Sequence, residues 1–133
     1  METKRIKSVT GGANPSGPYS LGVIAEGKFL FVAGQGPWDE ASKSYVRGTI
    51  AEQTQRTLES VRRIVEAAGA EMKDVVQCRV FLQPLNEQTF QEMNAVYEQY
   101  WAEDAAPART TVGCTLLGID VEIDCVVRLP EKD

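Results

Sequence analysis

From Thr49 to Gly69 the apolar residues fall at helical intervals. Leu58, Val61, Val65 and Ala68 line one face, Thr49 and Glu52 have the spacing of a capping box, and Gly69 stands where a C-terminal cap belongs. The period then changes to two. Val76, Cys78, Val80 and Leu82 alternate with Gln77 and Arg79 and stop before Pro84, which predicts a strand over Val75 to Leu82. Helical spacing returns from Asn86 to Trp101, where Phe90, Met93, Tyr97 and Tyr100/Trp101 form the apolar stripe. Arg109 to Leu116 and Val121 to Leu129 read as two further strands, broken near Gly118. Ahead of the first helix, Arg5 to Val9 alternates weakly as a short strand, followed by the turn-rich Gly11 to Pro18. The apolar runs Ser20 to Ala25 and Lys28 to Ala33, separated by Glu26-Gly27, predict a tight hairpin, and the polar segment Gly34 to Gly48 predicts a loop.

The predicted order is β-β-β-α-β-α-β-β, an α+β fold with one sheet and both helices on one of its faces. Length, 133 residues, fits a single domain over residues 1–133. The other sheet face remains to be covered. Leu30, Val32, Val76, Val80, Val112, Ile123 and Val127 supply one apolar face, and Phe29, Phe31, Phe81 and Cys125 are assigned to the other. A sheet apolar on both sides, with helices for only one, predicts self-association.

Composition narrows the chemistry. There is no His, which removes Ser-His-Asp and Cys-His nucleophile pairs and most zinc and haem sites. Catalysis then falls to carboxylates, Tyr, Lys, Arg or backbone groups, with no metal. Cys78, Cys114 and Cys125 are odd in number and share no short ligand spacing, so a reduced, cytoplasmic location is expected, with the cysteines packing as small apolar residues. The amino-terminal METKRIKSV has no apolar run after its charges, and nothing approaches the roughly 18 apolar residues of a membrane span. With 14 Lys and Arg against 19 Asp and Glu the net charge is −5, which argues against generic nucleic-acid binding.

Several residues stand out within this frame. Arg109, at a strand start just after Pro107, is either an anion anchor or a surface ion-pair partner. Glu122 alternates with apolar neighbours; it lies on the solvent face of an edge strand with Asp124, or in a partly dry cleft where it serves as the acid/base a His-free protein needs. Asn94 interrupts the second helix's apolar stripe and must find a partner, either a loop or a ligand. Tyr19 follows Gly17-Pro18, and Gln35 is flanked by Gly34 and Gly36, where turns or close ligand approach are the alternatives.

Taken together, Gly17-Pro18-Tyr19-Ser20, Ala33-Gly34-Gln35-Gly36-Pro37, Val65-Glu66-Ala67-Ala68-Gly69, Asn94-Ala95-Val96-Tyr97, Pro107-Ala108-Arg109-Thr110 and Val121-Glu122-Ile123-Asp124 resemble the RidA family, also called the YjgF or L-PSP endoribonuclease family. The resemblance implies a chorismate mutase-like homotrimer with helices outside and small-molecule sites between subunits. It implies hydrolysis of enamines and imines such as 2-aminoacrylate and 2-iminobutanoate, released by pyridoxal-phosphate enzymes, to 2-keto acids and ammonia, without a cofactor. By position, Arg109 would clamp the substrate carboxylate, Glu122 would position water and exchange protons, and Tyr19 would line the cleft. Asn94 would hydrogen-bond, and Ala33, Gly34 and Thr111 would complete the pocket. Many family members carry Ser at the position of Ala33 and Cys at that of Thr111. The resemblance also leaves two other functions open: an RNA-directed endoribonuclease or translation inhibitor, and a non-catalytic binder of small acids.

Overall fold

Residues 3–131 are described by the structure, a computed structural model. Met1 and Glu2, part of the stretch read for a leader, and Lys132 and Asp133 lie outside the described residues. The first long helix, α1 (Ile50–Ala67), starts as its sequence predicts. The Thr49 hydroxyl accepts from Glu52 N–H at 3.1 Å, and the Glu52 carboxylate reaches back to Thr49 N–H at 3.4 Å. Thr49→Ala is therefore expected to cost about 1 kcal/mol of stability, read as a lowered midpoint in urea unfolding. The second helix, α2 (Glu87–Tyr97), is capped reciprocally by Asn86 and Thr89 and continues as a 3-10 turn over Glu98–Tyr100.

Among the described residues eight strands accompany the helices: β1 (Lys4–Ile6), β2 (Gly22–Ile24), β3 (Phe29–Gln35), β4 (Trp38–Asp39), β5 (Ser44–Tyr45), β6 (Val75–Leu82), β7 (Ala108–Gly113) and β8 (Val121–Arg128). The main sheet runs β3-β8-β6-β7, with β6 and β7 parallel and the other pairs antiparallel. Leu58, Val61 and Val65 of α1 and Met93 and Tyr97 of α2 pack on one face of this sheet against Val32, Cys78, Val80, Ile123, Cys125 and Val127. The α+β architecture with two helices on one face is as expected from the sequence.

Three details differ. The runs around Glu26-Gly27 do not pair as a hairpin: β2 pairs with β1, and β3 pairs with β8. Gly27 does turn the chain, at φ 128°. The flanking carbonyls, however, are taken by the carboxy-terminal strand, since Lys28 O accepts from Leu129 N–H at 2.8 Å and Glu26 O from Arg128 Nε at 2.8 Å. Second, the polar segment after Gly34 contains the small β4-β5 hairpin, closed by the Trp38 and Tyr45 rings at 5.3 Å. Third, two apolar residues exchange faces. Cys125 is 3% exposed and shares the core face with Ile123 and Val127, as a period of two requires, whereas Val112 pairs with Phe81 on the open face.

That open face carries Phe31, 76% exposed, with Val112 also exposed. The apolar side left uncovered by the helices is thus present in the single chain. Among the described residues no helix is long and apolar enough to cross a membrane.

Candidate active site

Strand register decides where the sequence-predicted residues point. Cys78 of β6 lies opposite both Arg109 of β7 and Cys125 of β8, so Arg109 projects to the helix-covered face. Glu122 lies opposite Phe81, an odd number of residues along β6, and projects to the open face. Within one chain the two groups are separated by the sheet. Strand β8 is also interior, between β3 and β6, so Glu122 is not on an edge strand.

On the covered face Arg109 is held among side chains of α2 and the loop before β2. Its Nη1 donates to Asn94 Oδ1 at 2.7 Å and approaches Met93 Sδ at 3.9 Å. The guanidinium carbon lies 4.9 Å from the Tyr97 ring centre, 5.0 Å from that of Tyr19 and 5.6 Å from that of Phe90. These rings offer their negative faces to the cation. No carboxylate pairs with it among the described residues, and its Nε is buried without a hydrogen-bond partner. Burial accordingly pulls the Arg109 pKa below its ordinary value. A guanidinium kept this dry and unpaired has donor capacity for an anion.

The surroundings are consistent with that. The Tyr19 hydroxyl lies 3.2 Å from Ser16 Oγ and accepts from Ser16 N–H at 3.0 Å. These bonds lower the Tyr19 pKa from its usual value, and the Arg109 charge adds to the effect. Thr111, two residues beyond Arg109 on the same face, has a buried hydroxyl with no partner. Cys78, beneath the guanidinium, is pushed up to about 12 by burial despite the nearby Tyr97 hydroxyl and Arg109 charge. It therefore has no thiolate character near neutral pH. Cys78 and Cys125 pack as small apolar residues, whereas Cys114 is exposed.

On the open face Glu122 makes no hydrogen bond or ion pair within the described residues, unlike its neighbour Asp124, which is gripped by Arg79 at 2.6 Å. Its carboxylate lies over Gly34, where a Cβ would stand 2.6 Å from Oε2. Ala33 and Gly34 sit at a register shift in β3, where the ladder with β8 is interrupted between Val32 and Gln35. The Gln35 side chain turns back to Ala33 O at 3.0 Å. Among the described residues no cluster of His, Cys, Asp or Glu is placed to hold a metal ion.

Residues 11–129 match the family model described as Endoribonuclease L-PSP. The chain belongs to the Endoribonuclease L-PSP family. A RutC family protein of Pyrococcus abyssi is 46% identical over 110 residues, 83% of this chain and 84% of the relative. A 2-iminobutanoate/2-iminopropanoate deaminase of Salmonella typhimurium is 38% identical over 110 residues, 81% of this chain and 83% of the relative. Among solved structures, a Rid family protein of unknown function from Yersinia pestis aligns with TM-score 0.82 at 27% identity, covering 97% of this chain and 100% of that one.

Within this L-PSP family chain the structure adds residues that sequence reading passed over. Phe90, Met93 and Tyr97 were legible as an apolar stripe but not as walls around a cation. Their spacing is that of any core-facing helix, and only the position of Arg109 opposite them gives them a second use.

Proposed function

We propose that this protein is a cytoplasmic enamine/imine deaminase acting as a homotrimer on small imino acids such as 2-iminobutanoate and 2-iminopropanoate. The observation that carries the reading is the Arg109 guanidinium, ringed by Tyr19, Phe90 and Tyr97, tied to Asn94 and paired with no acid among the described residues. A substrate carboxylate supplies the missing charge. The unpartnered Thr111 hydroxyl, on the same strand face, then takes a second polar atom of the ligand. The named activity of the Salmonella relative supports this reading.

Arg109 and Glu122 lie on opposite faces of one sheet, so a site using both joins two protomers, and the exposed Phe31 and Val112 supply apolar surface for that contact. In such a site Glu122, with the backbone of Ala33 and Gly34 beside it, faces the neighbour's anchored substrate. The enamine takes a proton from solvent at carbon to give the iminium, and water held by Glu122 adds to the iminium carbon while one water proton passes to the carboxylate. Glu122 returns that proton to nitrogen, and the carbinolamine expels ammonia as its hydroxyl proton goes back to solvent, leaving the 2-keto acid. Each step is intrinsically easy, so positioning and one acid/base suffice without a cofactor.

The test is a coupled assay in which a threonine or serine dehydratase generates the imine and keto-acid release is followed. Wild-type protein is expected to accelerate release. An unchanged rate overturns the proposal, and binding of 2-oxobutyrate without turnover assigns a non-catalytic binder instead.

A further inference from the structure

Gly17 has a spatial role that differs from those of the turn glycines. Gly11, Gly69 and Gly118 have φ between 74° and 83° with open space where a side chain would go, so backbone conformation explains them. Gly17 has no such φ, yet a Cβ there would stand 2.9 Å from Arg109 Nη2, 3.0 Å from Asn94 Nδ2 and 3.1 Å from Asn94 Oδ1. The first is shorter than packed atoms tolerate and the other two are tight, so a side chain at residue 17 requires the Asn94–Arg109 pair to shift. The strap that carries Gly17 is itself tied down, with Tyr19 N–H donating to Gly17 O at 2.9 Å and Ser16 N–H to the Tyr19 hydroxyl at 3.0 Å. The guanidinium on the other side of the gap is confined by Tyr19, Phe90 and Tyr97.

We infer that Gly17 is a positioning residue for the anion site: the side chain it lacks is the space into which the Asn94–Arg109 pair fits, and any larger residue turns the guanidinium away from its carboxylate. This rests on reading Arg109 as the carboxylate anchor. Because the backbone at residue 17 accepts an ordinary side chain, the cost of Gly17→Ala falls on Arg109 and Asn94 rather than on the strap.

The experiment compares wild type and Gly17→Ala by the NMR signal of Arg109 Nε–H, by titration with 2-oxobutyrate, and by kcat and KM in the coupled dehydratase assay. In Gly17→Ala the Arg109 signal is expected to move. Affinity for 2-oxobutyrate should weaken about tenfold or more, equivalent to losing one charge-assisted hydrogen bond. KM should rise while kcat at saturation stays within about twofold, as for a lost ground-state contact. Should Gly17→Ala lower the melting temperature, adding Arg109→Met restores it, because the shortest contact is with the guanidinium and Asn94, no longer bonded to it, can turn away. The inference is overturned if affinity and KM match wild type, if the loss falls on kcat alone, or if a lowered melting temperature is not restored in the double variant. Failure of the wild-type protein itself to bind 2-oxobutyrate overturns the Arg109 reading, and this inference with it, before any substitution is made.

Discussion

Arg109→Met is expected to weaken 2-oxobutyrate binding by about 10²- to 10³-fold, the cost of removing one member of a buried, hydrogen-bonded charge pair. Turnover in the dehydratase assay should fall at least as far. The same substitution is expected to leave the melting temperature within a few degrees of wild type. Two opposing terms produce that result. The charged side chain forgoes hydration costing several kcal/mol. In return it gains the Asn94 bond, about 1.5–3 kcal/mol, and contacts with the Tyr19, Phe90 and Tyr97 rings, each about 0.5–2 kcal/mol. Methionine forgoes both the cost and the gain while filling the space beneath α2. Lysine would not substitute, because a point charge cannot occupy the stacked, forked position between the rings. Isothermal titration and a thermal melt check the two halves separately. Unchanged affinity would sink the assignment of Arg109 as anion anchor, and a large loss of stability would identify it instead as a structural residue.

What could be read from the sequence divides along local and non-local lines. The Thr49–Glu52 box, the stripe Leu58-Val61-Val65 and the alternation through Val75–Leu82 obey rules that operate within a few residues, and they occur as expected. The partner of β2 obeys no such rule. Gly27 turns the chain in either case, and the choice is made by Leu129 N–H and Arg128 Nε, a hundred residues away in sequence, which take the carbonyls on either side of it. The site divides similarly. Asn94 announces itself as a polar residue in an apolar stripe, and a partner is found, but that the partner is Arg109 follows only from the parallel pairing of β7 with β6. The same register separates Arg109 from Glu122, a fact that motif order along the chain does not reveal. In sequence Gly17 offers a turn or a close ligand approach without deciding between them, because what defines it is a neighbour's guanidinium.

That separation gives the Glu122 prediction its form. Glu122→Gln keeps the shape of the side chain above Gly34 but removes the base, so kcat is expected to fall by about 10²- to 10⁴-fold, the usual reach of a positioned acid/base. KM should change little, because the carboxylate anchor is untouched. Inactive Glu122→Gln chains and inactive Arg109→Met chains, unfolded together and refolded at equal ratio, should then recover activity. If each site takes Arg109 from one protomer and Glu122 from its neighbour, random assembly of a cyclic trimer leaves about a quarter of the sites with both groups intact. If both groups of a site came from one protomer, no mixture could contain an intact site and the activity would stay at zero. The geometry favours the first outcome. Arg109 points beneath α2, Glu122 points from the face that carries Phe31, and among the described residues neither has an opposite charge to pair with.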